Sequence, residues 1–211
     1  MSSNIIMASR ALARLGEPAI TSFEDDSDTA EKVAQLYEPT ILGLFARHHW
    51  HFAKAKLQLQ EDGAAEIVNE WTRGFLMPAL ETDRVAGPHQ VFPSAQRGAA
   101  VTFDYEVSDR WILTDHSVIV IEYTKRKAES TWPGYFINLA VEALACVFAL
   151  PVTENQSKEA FHRAVAYGSP SEKGEGGLFG MAIADDTKSN PTRSLIDDVD
   201  IMTSVRFGGY R

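Results

Sequence analysis

The sequence predicts an α+β protein, mainly α: a helical bundle drawn from both ends of the chain, a small inserted antiparallel β-sheet and an extended C-terminal tail. Three observations predict it. Apolar residues recur at helical spacing over residues 4–48 and again over 133–167. Between His51 and Tyr123 the period shortens to two, and turn residues break the runs. After about residue 190 neither period holds. The expected units are a bundle of residues 1–50 and 130–190, a β-domain of residues 51–129, and a C-terminal arm of residues 191–211.

The first helix is expected over Asn4–Leu15, with Ile5, Ala8, Leu12 and Leu15 on one face, stopped by Gly16 and Pro18. The acidic loop "SFEDDSDTAEK" leads into a second helix, with Ser27 or Asp28 as cap and Glu31 placed for a capping box. A calcium loop is the sharper reading, but the spacing and the missing Gly do not match an EF-hand. The second helix aligns Ala30, Val33, Tyr37, Ile41, Leu44 and Phe45, is kinked by Pro39, and runs to about His48.

From His51 to Gln60 the residues alternate, with Ala53, Ala55, Leu57 and Leu59 on one side and Lys54, Lys56, Gln58 and Gln60 on the other. Further strands are expected near Gly74–Met77, Asp83–Ala86, Val101–Val107, Trp111–Leu113 and Val118–Tyr123. The breaks "SDR" and "TDHS" make the last three an expected antiparallel meander. Pro78, Pro88 and Pro93 mark loops or sheet edges. Helix returns after Pro133, with a broad stripe from Phe136 to Leu150 and a stop at Pro151. Another helix covers about Ser157–Tyr167, "GSPSEKGEGG" breaks the pattern, and "LFGMAIADD" resumes it. Because the helical stripes must be buried against one another, the helices should form one bundle.

Composition narrows the function. The chain of 211 residues carries 20 basic and 29 acidic residues, a net charge of -9. That argues against a dedicated duplex-binding surface, which needs clustered Lys and Arg. No apolar run is expected to reach the ~20 residues of a membrane helix. Arg10 and Arg14 interrupt the apolar N-terminus, so a signal peptide is not expected and synthesis in the cytosol is. Cys146 is the single cysteine, which excludes a Cys-based metal cage.

The stretch that looks most like chemistry is "RHHWHFAKAK", residues 47–56. His48 and His51 are three apart and could be metal ligands, but zinc needs a third and fourth ligand, and His89, His116 and His162 are scattered. The simpler reading is structural. Arg47 and the histidines complement a helix C-terminus, and Trp50 and Phe52 anchor the turn into the sheet as a bundle–sheet hinge. No GxSxG, Walker loop or GxGxxG is present. The "IDDVD" cluster falls in the aperiodic tail, where carboxylates are not preorganised for catalysis. No catalytic residue, metal ligand or cofactor is expected.

The order of landmarks resembles the phage head–tail adaptor family, the tail tubular protein A type of tail accessory protein. The resemblance rests on "ALARLGEPAITSFEDDSDTAEKVAQLYEPTILGLFARHHWHFAKAKLQL" and "ILTDHSVIVIEYTKRKAESTWPGYFINLAVEALACVFALPVTENQSKE", and covers roughly residues 3–170. In the first, a short helix ends in an LGEP-type turn, an acidic helix start follows, and a W-x-F-A exit leads to a strand. In the second, a Tyr-centred strand end precedes a P-x-x-F helix start, an Ala-rich helix and a P-x-T break.

The resemblance implies a non-enzymatic virion protein at the head–tail junction: a connector ring, a dodecamer, between the portal protein and a downstream tail or nozzle protein. DNA would pass through the lumen during ejection without specific binding, and no membrane would be involved. An acidic balance suits a lumen that repels phosphates. In this family the C-terminal region reaches onto the portal, which makes Arg206, Phe207, Tyr210 and Arg211 portal-contact candidates. The rival expectations are a small metal-dependent hydrolase using His48, His51 and an acidic partner, and a monomeric host-side binding module.

Overall fold

The computed structural model describes residues 3–65, 71–80, 84–94 and 103–189. Five helices are found there: α1 Ser3–Leu15, α2 Asp28–Arg47, α3 Gly134–Thr153, α4 Gln156–Tyr167 and α5 Gly177–Ser189. Between α2 and α3 lie six strands: β1 Lys54–Gln58, β2 Arg73–Leu76, β3 Ala86–Phe92, β4 Glu106–Ser108, β5 Trp111–Thr114 and β6 Val120–Thr124. The fold is α+β, mainly α, as the sequence predicts.

Local chemistry fixes the helix ends. Gly16 takes the left-handed conformation (φ 77°) that only glycine adopts without cost. Its N–H donates to Ala13 O, and the Glu17 N–H to Leu12 O, which together close α1 in a Schellman motif. Ser27 caps α2, its Oγ accepting from Ala30 N–H at 3.2 Å. With Ser27 as the cap, Ala30 rather than Glu31 stands at the third helical position, so the expected capping box does not form. Asn155 caps α4 by accepting from Ser157 and Lys158 N–H.

The central helix is α3, which packs on all four others. Its core side chains run from Phe136 to Ala149 and join Leu12, Ile41, Leu44, Phe45 and Trp50 in one cluster. Pro151 does not end it, contrary to expectation: α3 continues to Thr153 and closes where Glu154 turns left-handed (φ 53°). Leu150, expected in the buried stripe, is 49% exposed. The expectation about apolar length is also corrected. With a mean hydropathy of 1.9 over its best window, Gly134–Thr153 is long and apolar enough to cross a membrane. Here those side chains supply the heart of the bundle.

The strands form two three-stranded antiparallel sheets, in the orders β1–β6–β3 and β2–β5–β4. Leu59, Phe75, Met77, Val91, Ile112, Ile119, Ile121 and Tyr123 fill a core of their own, shared by both sheets. The expected meander is therefore half right. β4 and β5 make a two-residue hairpin with Asp109 left-handed, but β6 leaves for the other sheet and runs between β1 and β3. The physical reason lies in β6 itself, where Ile121–Thr124 are all buried. In the centre of its sheet, β6 pairs along both edges with β1 and β3, which the end of a meander would not allow.

β1 begins at Lys54, after a 3₁₀ turn over His51–Ala53, and Leu57 is 42% exposed rather than facing inward. β3 contains Pro88 and lies at a sheet edge, where a missing N–H costs no ladder bond. The expected strand at Asp83–Ala86 is replaced by β3 from Ala86, residue 83 lying outside the described residues; of that at Val101–Val107, residues 101 and 102 also lie outside them, and the described part is strand only from Glu106, in β4. The C-terminal arm, residues 191–211, and with it Arg206, Phe207, Tyr210 and Arg211, lies outside the described residues.

Candidate functional site: the junction of bundle and sheets

The chain crosses from bundle to sheets at His48–Lys54 and returns at Thr124–Trp132. Trp50 is the anchor of the first crossing. It is fully buried, and its indole N–H donates to Leu44 O in the last turn of α2 at 2.9 Å. Phe136 and Phe179 meet its ring edge-on, at centroid distances of 5.1 and 5.9 Å. Phe52, half-buried, packs against Phe45, Trp50, Tyr135 and Phe136. The two aromatic residues that the sequence marks as a hinge thus share one cluster fed by α2, α3 and α5.

The histidines of the same stretch meet two buried carboxylates. Asp186 of α5, fully buried, accepts from the His51 backbone N–H and from its Nδ1, both at 2.9 Å, and from Tyr135 Oη at 2.6 Å. His48 Nε2 stands 3.9 Å from the same carboxylate. Glu122 of β6, 2% exposed, is met by Lys54 at 2.9 Å, Lys56 at 3.3 Å and His49 at 3.4 Å. His49 also stacks on His89, centroids 3.8 Å apart, and His89 Nε2 is 2.8 Å from Thr124 Oγ1.

Burial pushes His48, His49 and His89 below the ordinary histidine value, with His89 and Lys54 adding to the effect at His49. They are neutral at pH 7. Burial alone would raise Glu122, but hydrogen bonds and charge from Lys54 and Lys56 outweigh it and hold the carboxyl down. The Tyr135 hydroxyl is pushed up, by burial first and by Asp186 second.

The second crossing is clamped by Arg126. Its guanidinium forks onto both oxygens of Glu38 in α2, each at 3.0 Å, and reaches Glu129 at 2.6 Å. Tyr37 Oη donates to the same Glu129 at 3.0 Å, and Trp132 Nε1 donates to Lys127 O. Lys125 N–H donates to Ala53 O, tying the two crossings together. Sequence reasoning missed Asp186, Glu122, Arg126 and Tyr135. Only Glu122 left a signal, as a lone charge within the apolar run "VIVIEY".

The arrangement joins the bundle core to the sheet core through hydrogen bonds, ion pairs and ring contacts. Among the described residues no three His, Cys, Asp or Glu side chains are grouped to hold a metal ion. In the His48–His51–Asp186 set, the Asp186 oxygens are already taken by Tyr135 and His51 donors. No family model matches the chain, and no curated protein matches it. The class that fold and junction define is an α+β protein whose β-insert is bolted to one end of a helical bundle.

Proposed function

We propose that this chain is a structural head–tail adaptor of a phage-like particle, one subunit of a twelve-membered ring between the portal and the tail. One observation carries the reading. The helices from both sequence ends share one core, the strands between them share another, and an aromatic and charged junction joins the two. This is the order of helix, sheet and helix expected from the resemblance of residues 3–170 to the tail tubular protein A type of adaptor. A subunit of that plan offers a separate surface on each core, as a ring placed between two different partners requires.

Two further features support it. The net charge of -9 suits a lumen that DNA traverses without sticking. Large apolar side chains stand exposed on several elements, among them Val107 at 48%, Phe161 at 63% and Met181 at 63%. Such residues would be covered where copies meet in a ring. No residue is assigned a catalytic role. The test is sedimentation of the purified protein with the portal of its own particle. Co-sedimentation at twelve copies per portal ring is expected; independent migration of the two at micromolar concentration would refute the proposal.

A further inference from the structure

A cleft of about 790 Å³ lies between the C-terminal end of α2, one face of α4 and the 168–174 turn. Its walls are largely apolar, formed by Ala160, Ala164, Pro170 and the Tyr167 ring. Three cations stand around them: Arg47, Arg163 and Lys173. The Arg47 guanidinium carbon sits over Tyr167, 4.6 Å from the ring centre, and the side chain donates to Gly174 O. Neither Arg47 nor Lys173 has an ion-pair partner among the described residues, whereas Arg163 is paired with Glu159. Glu172 does not neutralise the site, because its carboxylate is turned back onto Ser169 N–H and Oγ. In a chain of net charge -9, an apolar cleft with two uncompensated cations is a local inversion of the field.

We infer that this cleft receives residues 195–202 of the same chain, "LIDDVDIM". The segment combines what the cleft lacks. Asp197, Asp198 and Asp200 supply three carboxylates, and Leu195, Ile196, Val199, Ile201 and Met202 supply apolar surface. The other strongly acidic run, Glu24–Asp28, is a poorer match: its one large apolar residue, Phe23, is already packed on Tyr37.

Chain length fits as well. α5 starts at Gly177, beside the cleft's rim at Gly168 and Gly174, and packs along α4. At ~1.5 Å per residue, α5 carries the chain about 20 Å from that start. Residues 190–194 can span roughly 17 Å in return. Residues 195–202 are therefore within reach of the cleft. The inference does not rest on the adaptor reading, because it concerns the isolated chain.

The test is zero-length carbodiimide coupling of the full-length protein, in an equal mixture of light and ¹⁵N-labelled copies, read by mass spectrometry. Coupling joins Lys173 Nζ to a carboxylate as an isopeptide with loss of water. The expected result is Lys173 joined to Asp197, Asp198 or Asp200 about tenfold more often than Lys32 is, in pairs of uniform isotope. Arg163→Glu should cut that yield roughly tenfold with an unchanged melting temperature, since Arg163 is exposed. Equal coupling to Lys32 would overturn the inference. Mixed light–heavy pairs would overturn it too, by placing a second copy's segment in the cleft. So would coupling of Lys173 mainly to Glu24, Asp26 or Asp28.

Discussion

Replacing Trp50 by Ala removes the most enclosed side chain at the junction, and the structure sets the size of the effect. The indole is fully buried among Phe52, Tyr135, Phe136 and Phe179, residues held by three separate elements. Those elements are fixed by the rest of the bundle, so the void cannot collapse. Deleting such an aromatic costs about 3–5 kcal/mol. Loss of the indole bond to Leu44 O adds roughly 1 kcal/mol. A total of about 4–6 kcal/mol is a large share of the ~5–15 kcal/mol that holds a typical domain together. For a chain of this size it lowers the melting temperature by about 8–24 °C. Urea unfolding reads it directly: the midpoint should fall while the slope stays the same. Trp50→Phe should cost only about 1–2 kcal/mol, since ring packing survives and the hydrogen bond does not. A loss below about 1 kcal/mol for Trp50→Ala, the scale of surface changes, would refute the anchoring role.

Arg126→Ala should cost about 2–3 kcal/mol, because it leaves the nearly buried Glu129 without its cation; a melting curve unchanged within error would deny the clamp. Acid should weaken the junction early. His48, His49 and His89 are held below the ordinary value of 6.5, so their stabilising effect is complete above pH 6.5 and fades as pH falls through their lower folded-state values. Melting temperatures between pH 7.5 and 5 check this, and His49→Gln together with His89→Gln should flatten the slope. His48, His49 and His51 changed together to Gln should leave the protein soluble, and elemental analysis of the wild type should find no stoichiometric zinc. Deleting residues 205–211 should leave the melting temperature nearly unchanged but weaken capture by the portal in a pull-down, with full-strength capture counting against a docking role for Arg206, Phe207, Tyr210 and Arg211.

The helices were legible because their signals are local. Gly16 and Ser27 mark ends through bonds to residues three positions away, and periodicity marks the buried faces. Pro151 misleads for a reason equally physical: late in a helix a proline forfeits one bond, and burial of Phe148 and Ala149 just before it keeps the last turn in place. Strand pairing was less legible, since the choice of β6 to join β1 and β3 depends on which surfaces meet across 66 positions of sequence, as in Lys56 against Glu122. Trp50 and Phe52 stood out by type and by their place at a change of period. Asp186, which completes the junction from 135 positions away, lies in an acidic helix end that looks like a solvated face.

The measurement that bears most directly on the adaptor proposal is electron microscopy of this protein mixed with the portal of its own particle. A twelve-fold ring of added density seated on the portal, open at its centre to the width of a DNA duplex, is the predicted result. Portals imaged at saturating protein with no added density would contradict it.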